Sequence, residues 1–88
     1  MIKIFTNSKF PNCKACVMAK KYFYELKLEY EEIDISTNMK EYYMLSKQKR
    51  LVVPLIQIGT DSMIGFSKKR INEMLINNKE NQWNQNQY

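Results

Sequence analysis

The spacing of apolar residues along the chain changes period several times, and each change marks an element. Residues 1–6 are mostly apolar, with Ile2, Ile4 and Phe5 predicting a short, largely buried strand. The polar stretch NSKFPN that follows carries a proline, which ends that strand. From Cys13 to about Lys27 the period becomes three and four. Cys16, Ala19, Phe23 and Leu26 share one face, while Lys14, Lys20, Lys21 and Glu25 are polar, so an amphipathic helix is expected. LEYEEIDI, residues 28–35, then alternates as a strand does, with Leu28 and Tyr30 and, after Glu32, Ile33 and Ile35 as its apolar positions.

Ser36, Thr37 and Asn38 are helix-start residues for a second helix over MKEYYMLSKQKR, residues 39–50. Pro54 cannot donate to a central ladder, so the strand LIQI begins at or just after it. GTDS reads as a turn, and SMIGF as a short returning strand that ends at Gly65. Ser67 caps a last helix, KKRINEMLIN, whose apolar stripe is Ile71, Met74 and Leu75. The predicted order is β-α-β-α-β-β-α, an α/β chain. It divides into a domain over residues 1–76 and an Asn/Gln-rich C-terminal tail over residues 77–88. That tail is expected to fray, with Trp83 and Tyr88 its only large apolar groups.

The 88 residues fit one domain near the lower end of what buries a useful core. A net charge of +5 raises the question of nucleic acid, but only Arg50 and Arg70 carry the guanidinium fork, and no nucleic-acid-binding motif accompanies them. The charge reads as a solvated basic surface, with no nucleic-acid partner. The longest apolar run, LVVPLI, is far shorter than a membrane span and contains a proline, and the opening residues lack the apolar core of a signal peptide. A cytoplasmic, reducing location and no membrane partner are the expectations. In that setting a Cys-x-x-Cys pair is catalytic or metal-binding rather than a structural staple.

The only two cysteines are Cys13 and Cys16, in FPNCKACVMAK. A cysteine at a helix start meets backbone N–H groups without intrahelical partners and the positive end of the helix dipole. Both favour thiolate over thiol, and Lys14 and Lys9 add to that bias. Cys13 is therefore the expected nucleophile. Cys16, one turn on, lies on the apolar face within disulfide reach and is the expected resolving thiol. Metal binding fits less well: a structural zinc site needs four ligands, and the chain has no histidine. Only a dimer sharing zinc or an iron–sulfur cluster would complete the set, so no metal site is expected within the chain.

Several motifs together resemble the glutaredoxins. These are the strand–loop–CKAC–helix opening, CVMAK over residues 16–20, VVP over residues 52–54, and IGF over residues 64–66 before a final helix. The resemblance implies a thioredoxin fold, with a four-stranded mixed sheet flanked by three helices and a cis bond between Val53 and Pro54. It implies a thiol–disulfide oxidoreductase, a monomer that acts on disulfide-containing proteins or glutathione mixed disulfides. No bound cofactor is implied, and glutathione is the reducing co-substrate. Lys9, Lys14, Val53, Pro54, Gly65 and Ser67 match the positions that contact substrate or glutathione. GFSKKRIN also resembles the Gly-Phe-x-x-x-Arg-Ile run of NrdH-type redoxins, which take electrons from thioredoxin reductase and supply ribonucleotide reductase. Here Lys68 stands where a glutathione-binding member carries an acid. Glutathione linkage is the leading expectation from the overall pattern, with an NrdH-type redoxin and a dimeric metal carrier as alternatives.

Overall fold

The structure, a computed structural model, describes residues 2–46 and 52–86. Seven elements follow in the predicted order: β1 (Ile2–Thr6), α1 (Lys14–Glu25), β2 (Glu31–Asp34), α2 (Met39–Ser46), β3 (Leu55–Ile58), β4 (Asp61–Ile64) and α3 (Lys68–Asn86). The strands form one mixed sheet in the order β2-β1-β3-β4. β1 runs parallel to β2 and antiparallel to β3, and β3 is antiparallel to β4. The parallel pair requires a crossover, which α1 supplies. This arrangement is the thioredoxin fold.

Strand alternation sorts the apolar residues onto two faces. Ile2, Ile4, Ile56 and Ile58 pack with Ala19 and Phe23 of α1 and with Ile71 and Met74 of α3. On the other face Phe5, Ile33, Ile35 and Leu55 surround Tyr42 of α2. Phe5 is opposite both Ile33 and Leu55 in the sheet register, so the two cores are separated by the pleat alone. Burying both faces of so small a sheet fixes β1 and β3 at its centre, and the Cys-bearing loop leaves from the end of β1.

Three regions differ from the sequence reading in where their elements begin or end. The first helix ends at Glu25, and residues 28–30 are not part of β2. Lys27 adopts a positive φ of 57°, its N–H donates to the Tyr24 carbonyl, and the Leu28 N–H donates to the Phe23 carbonyl. This is a Schellman closure, so the Leu28 N–H is spent on the helix end and is not available to a ladder. Leu26, placed by periodicity on the buried face, is the C-cap and is 40% exposed.

The predicted four-residue turn GTDS is only two residues long, because Asp61 already pairs with Ile58. Gly59 takes φ of 60°, the sign that the first position of a II′ hairpin loop requires. A side chain there would also collide with Asn78. Asn78 accepts from the Thr60 N–H and donates to Asp61 and to the Met74 carbonyl, which ties the hairpin to α3.

The third difference is α3, which continues past Asn77 to Asn86. No glycine or proline after Gly65 interrupts it. The predicted end of α2, residues 47–50, lies outside the described residues. Among the described residues no helix is long and apolar enough to cross a membrane.

Candidate active site

Cys13 is the N-cap of α1, with extended backbone dihedrals of φ −82° and ψ 97°. Its sulfur occupies the place that a Ser or Asp oxygen takes in most caps: it accepts the Cys16 N–H at 3.1 Å. The first turn closes behind it through the Val17 N–H to the Cys13 carbonyl, at 3.2 Å. Cys13 and Cys16 are joined as a disulfide, with their Cα atoms 5.2 Å apart. Cys16 is 4% exposed and faces the core, whereas Cys13 is only half-buried. An attacking group therefore meets Cys13 first.

The Val53–Pro54 bond is cis, as the motif resemblance implies. The carbonyl oxygen of Val53 lies 3.9 Å from Cys13 Sγ, and no described residue pairs with the Val53 N–H. Pro54 is buried beneath it, and the Pro54 carbonyl accepts the Gly65 N–H at 2.8 Å. Gly65 has φ of 90°. Thus Cys13, Cys16, Val53, Pro54 and Gly65 converge on one end of the sheet.

The remaining expected residues sit around that centre. Lys14 is exposed next to Cys13, and the Lys9 side chain is exposed in the preceding loop with no polar partner among the described residues. Ser67 caps α3 as predicted: its Oγ accepts the Arg70 N–H at 3.2 Å. Lys68 does not project freely, because its Nζ lies 5.3 Å from the centroid of the Tyr22 ring.

Three supporting groups escaped the sequence reading. The hydroxyl of buried Tyr42 donates to the Val52 carbonyl at 2.7 Å and accepts the Val52 N–H at 2.8 Å. It therefore holds both polar groups of the residue ahead of Val53. Asp34 ends β2 and accepts the N–H groups of Ser8 and Ser36 at 3.1 and 3.0 Å. Hydrogen bonds from Ser8, its side chain first and then its N–H, together with those from Ser36, hold the Asp34 carboxyl far below the usual carboxylate range. The bonds to Ser8 fasten the loop that leads into the cysteines.

The third group is Glu32, which accepts from Thr6 Oγ1 at 2.8 Å and pairs with Lys20, one helical turn after Cys16. A cavity of about 230 Å³ connects these groups to the sulfur pair, with Cys13, Cys16, Lys20, Glu32 and Asp34 on its walls. None of the three shows a motif. Each is an ordinary polar residue in sequence, and its role depends on which strands become neighbours. No group of three or more metal-ligating side chains occurs among the described residues.

A Cys-x-x-Cys disulfide whose first sulfur caps a helix, beside a cis proline at the end of a mixed four-stranded sheet, defines a thiol–disulfide redoxin. The glutaredoxin family model matches residues 2–63, so the chain belongs to the glutaredoxin family. A glutaredoxin-like 8.6 kDa protein in the rubredoxin operon of Clostridium pasteurianum is 30% identical over 76 residues, 85% of this chain and 97% of that one. The fold is similar to NrdH-redoxin from Escherichia coli, with a TM-score of 0.67 at 24% identity over 82% of this chain and 91% of that one. It is also similar to a glutaredoxin from Archaeoglobus fulgidus, with a TM-score of 0.69 at 15% identity and 84% of each chain covered. The chain is thus a glutaredoxin-like thiol–disulfide oxidoreductase with a redox-active cysteine pair.

Proposed function

We propose that this redoxin reduces protein disulfides and is itself reduced by a thioredoxin-reductase-type enzyme rather than by glutathione. Cys13 thiolate attacks a substrate sulfur, forms a mixed disulfide and expels the partner sulfur as a thiolate. Cys16 thiolate then attacks Cys13 Sγ, closing the Cys13–Cys16 bond and releasing the second substrate sulfur. Two electrons pass to the substrate, whose two thiolates take up two protons. An extended substrate segment pairs with the N–H and carbonyl of Val53 as an added strand, over Pro54 and Gly65.

The observation that carries the choice of reductant is the charge at the start of α3. Its first turn holds no acid, Lys68, Lys69 and Arg70 follow one another, and the Ser67 hydroxyl is engaged as the cap. A glutathione α-ammonium at this turn meets cations. Each costs about 1 kcal/mol at 4 Å even with the full screening of bulk water, or roughly fivefold in affinity. This reverses the order expected from the overall motif pattern. The similar NrdH-redoxin is described as having a thioredoxin-like activity profile in a glutaredoxin-like protein. Glutathione linkage is the second reading, supported by the exposed Lys9 and Lys14, which offer ammonium groups to the two carboxylates of glutathione.

The deciding experiment is the reduction of one disulfide substrate with NADPH and either thioredoxin reductase or glutathione plus glutathione reductase. Turnover with the first system and little with the second is expected. The opposite pattern overturns the choice of reductant. Failure in both, with chemically pre-reduced protein also inert, overturns the dithiol mechanism.

A further inference from the structure

The outer face of α1 next to the site carries two exposed apolar side chains. Val17 and Met18 are 58% and 52% exposed. Met18 borders two depressions at once. The first, of about 510 Å³, lies between Pro11, Cys13, Lys14, Val17 and Met18. The second, of about 170 Å³, continues past Met18 to Lys21, Tyr22, Phe66 and Lys68, with Glu25 its only acid. The Phe66 ring meets Tyr22 edge-on, with centroids 6.0 Å apart, and forms an apolar floor. Together they make a trough that starts at the nucleophilic sulfur and runs along the helix.

Its rim is cationic. Lys14, Lys21 and Lys68 border it, and no ion pair among the described residues occupies any of the three. We propose that this trough seats an acidic, apolar-bearing segment of a disulfide-containing protein substrate, next to the cysteine that bonds to Cys13. The proposal rests on the dithiol mechanism above and names the substrate class for it. The geometry gives the length. Met18 is about 7.5 Å along the helix axis from Cys13 and Lys21 about 12 Å, at about 1.5 Å per residue. An extended segment advances about 3.3 Å per residue, so its second or third residue past the bonded cysteine reaches Met18 and its fourth reaches Lys21 and Lys68. An apolar side chain then fills the first depression and carboxylates face the lysines. Glutathione is too short to do this, having a single residue on each side of its cysteine.

The test uses the full chain, reduced, and three substrates. Two are ten-residue peptides carrying the same mixed disulfide, one followed by a leucine and glutamates and the other by the same leucine and lysines; the third is a small neutral disulfide. Second-order rate constants are measured by stopped flow at low and high salt. The acidic peptide is expected to react about tenfold faster than the basic one at low salt, with the difference shrinking as salt rises. Lys21→Glu combined with Lys68→Glu should invert that preference. Met18→Ser should slow both peptides by roughly the same few-fold factor, since it removes an apolar contact. Both variants should leave the small disulfide unchanged. Equal rates for the two peptides with the unmodified protein, or a preference that survives the double reversal, overturns the trough as a binding site while the dithiol mechanism stands. An unmodified protein inert toward the small disulfide overturns the mechanism itself.

Discussion

The N–H of Cys16 donates to the sulfur of Cys13 at 3.1 Å, so the resolving residue stabilises the very atom it later attacks. That bond strengthens when the sulfur carries charge, because charge-assisted hydrogen bonds are roughly twice as strong as neutral ones. The two thiols of the reduced protein are therefore unequal, one capped and accessible, the other buried at 4% exposure.

Cys13→Ser should abolish disulfide reduction, whereas Cys16→Ser should accumulate mixed disulfides visible by mass spectrometry. In the reduced protein, an alkylating reagent at neutral pH should modify Cys13 well before Cys16. Equal alkylation rates would contradict the assignment of roles.

Tyr42→Phe keeps the buried ring and deletes only the hydroxyl that grips Val52. Two backbone groups lose their partner, and a loss of about 1–2 kcal/mol is expected in urea denaturation. Because Val53 is next in the chain, the rate with a peptide disulfide should fall more than the rate with a small one. A stability loss with both rates unchanged would mean that the Val53 backbone is held from elsewhere.

Asp34 makes the active-site loop acid-sensitive, with a definite sign. Its carboxyl is held far below the ordinary aspartate value of about 3.9, so the folded state favours the ionised form. The contribution is fully present above that ordinary value and is lost as pH falls from there through the lowered one. Stability measured from pH 7 down to pH 2 should fall less steeply for Asp34→Asn than for the parent. The variant should also be less stable at pH 7, where Ser8 and Ser36 would donate to a neutral amide instead of a carboxylate. Parallel pH curves would show that the Ser8 contacts do not survive in solution.

Lys27 closes α1 in a left-handed conformation that L-residues enter at a cost. Lys27→Gly should stabilise the fold by about 0.5–1 kcal/mol in thermal or urea unfolding, with no change in disulfide reduction. A neutral or destabilising result would mean that the Lys27 side chain makes compensating contacts.

Where a role belongs to a short stretch of chain, the sequence displayed it. The period of three and four over Cys16, Ala19 and Phe23 identified the helix. The polar residue ahead of KKRINEM identified the Ser67 cap, whereas the cis bond at VVP was implied by the family resemblance and not by the residues alone. The active-site cysteines were legible because their spacing is itself the chemistry. What was not legible depends on contacts between distant segments. Tyr42 grips Val52 only because α2 covers the sheet face beneath it, and Asp34 reaches Ser8 only because β1 and β2 lie parallel. That the Lys68 ammonium lies over the Tyr22 ring likewise depends on α1 and α3 being neighbours. Leu28 was misassigned for a local reason. Alternation continues through it, but no pattern of side chains reveals a backbone donor already used by the preceding helix.

Among the described residues the strand order leaves β2 and β4 with an unpaired side each, and the composition of these strands bears on crowding of copies. β2 has four residues, of which Glu31 and Glu32 are exposed, and β4 has four and begins with Asp61. Two copies approaching along β2 would bring glutamates against glutamates, and both edges are too short to template an extended ladder. The backbone donor of Val53 is a different kind of opening, lying outside the strands and beside a reactive sulfur. The sheet edges thus disfavour polymerisation, while one backbone donor stays open beside the reactive sulfur, which is where the proposed substrate strand would pair.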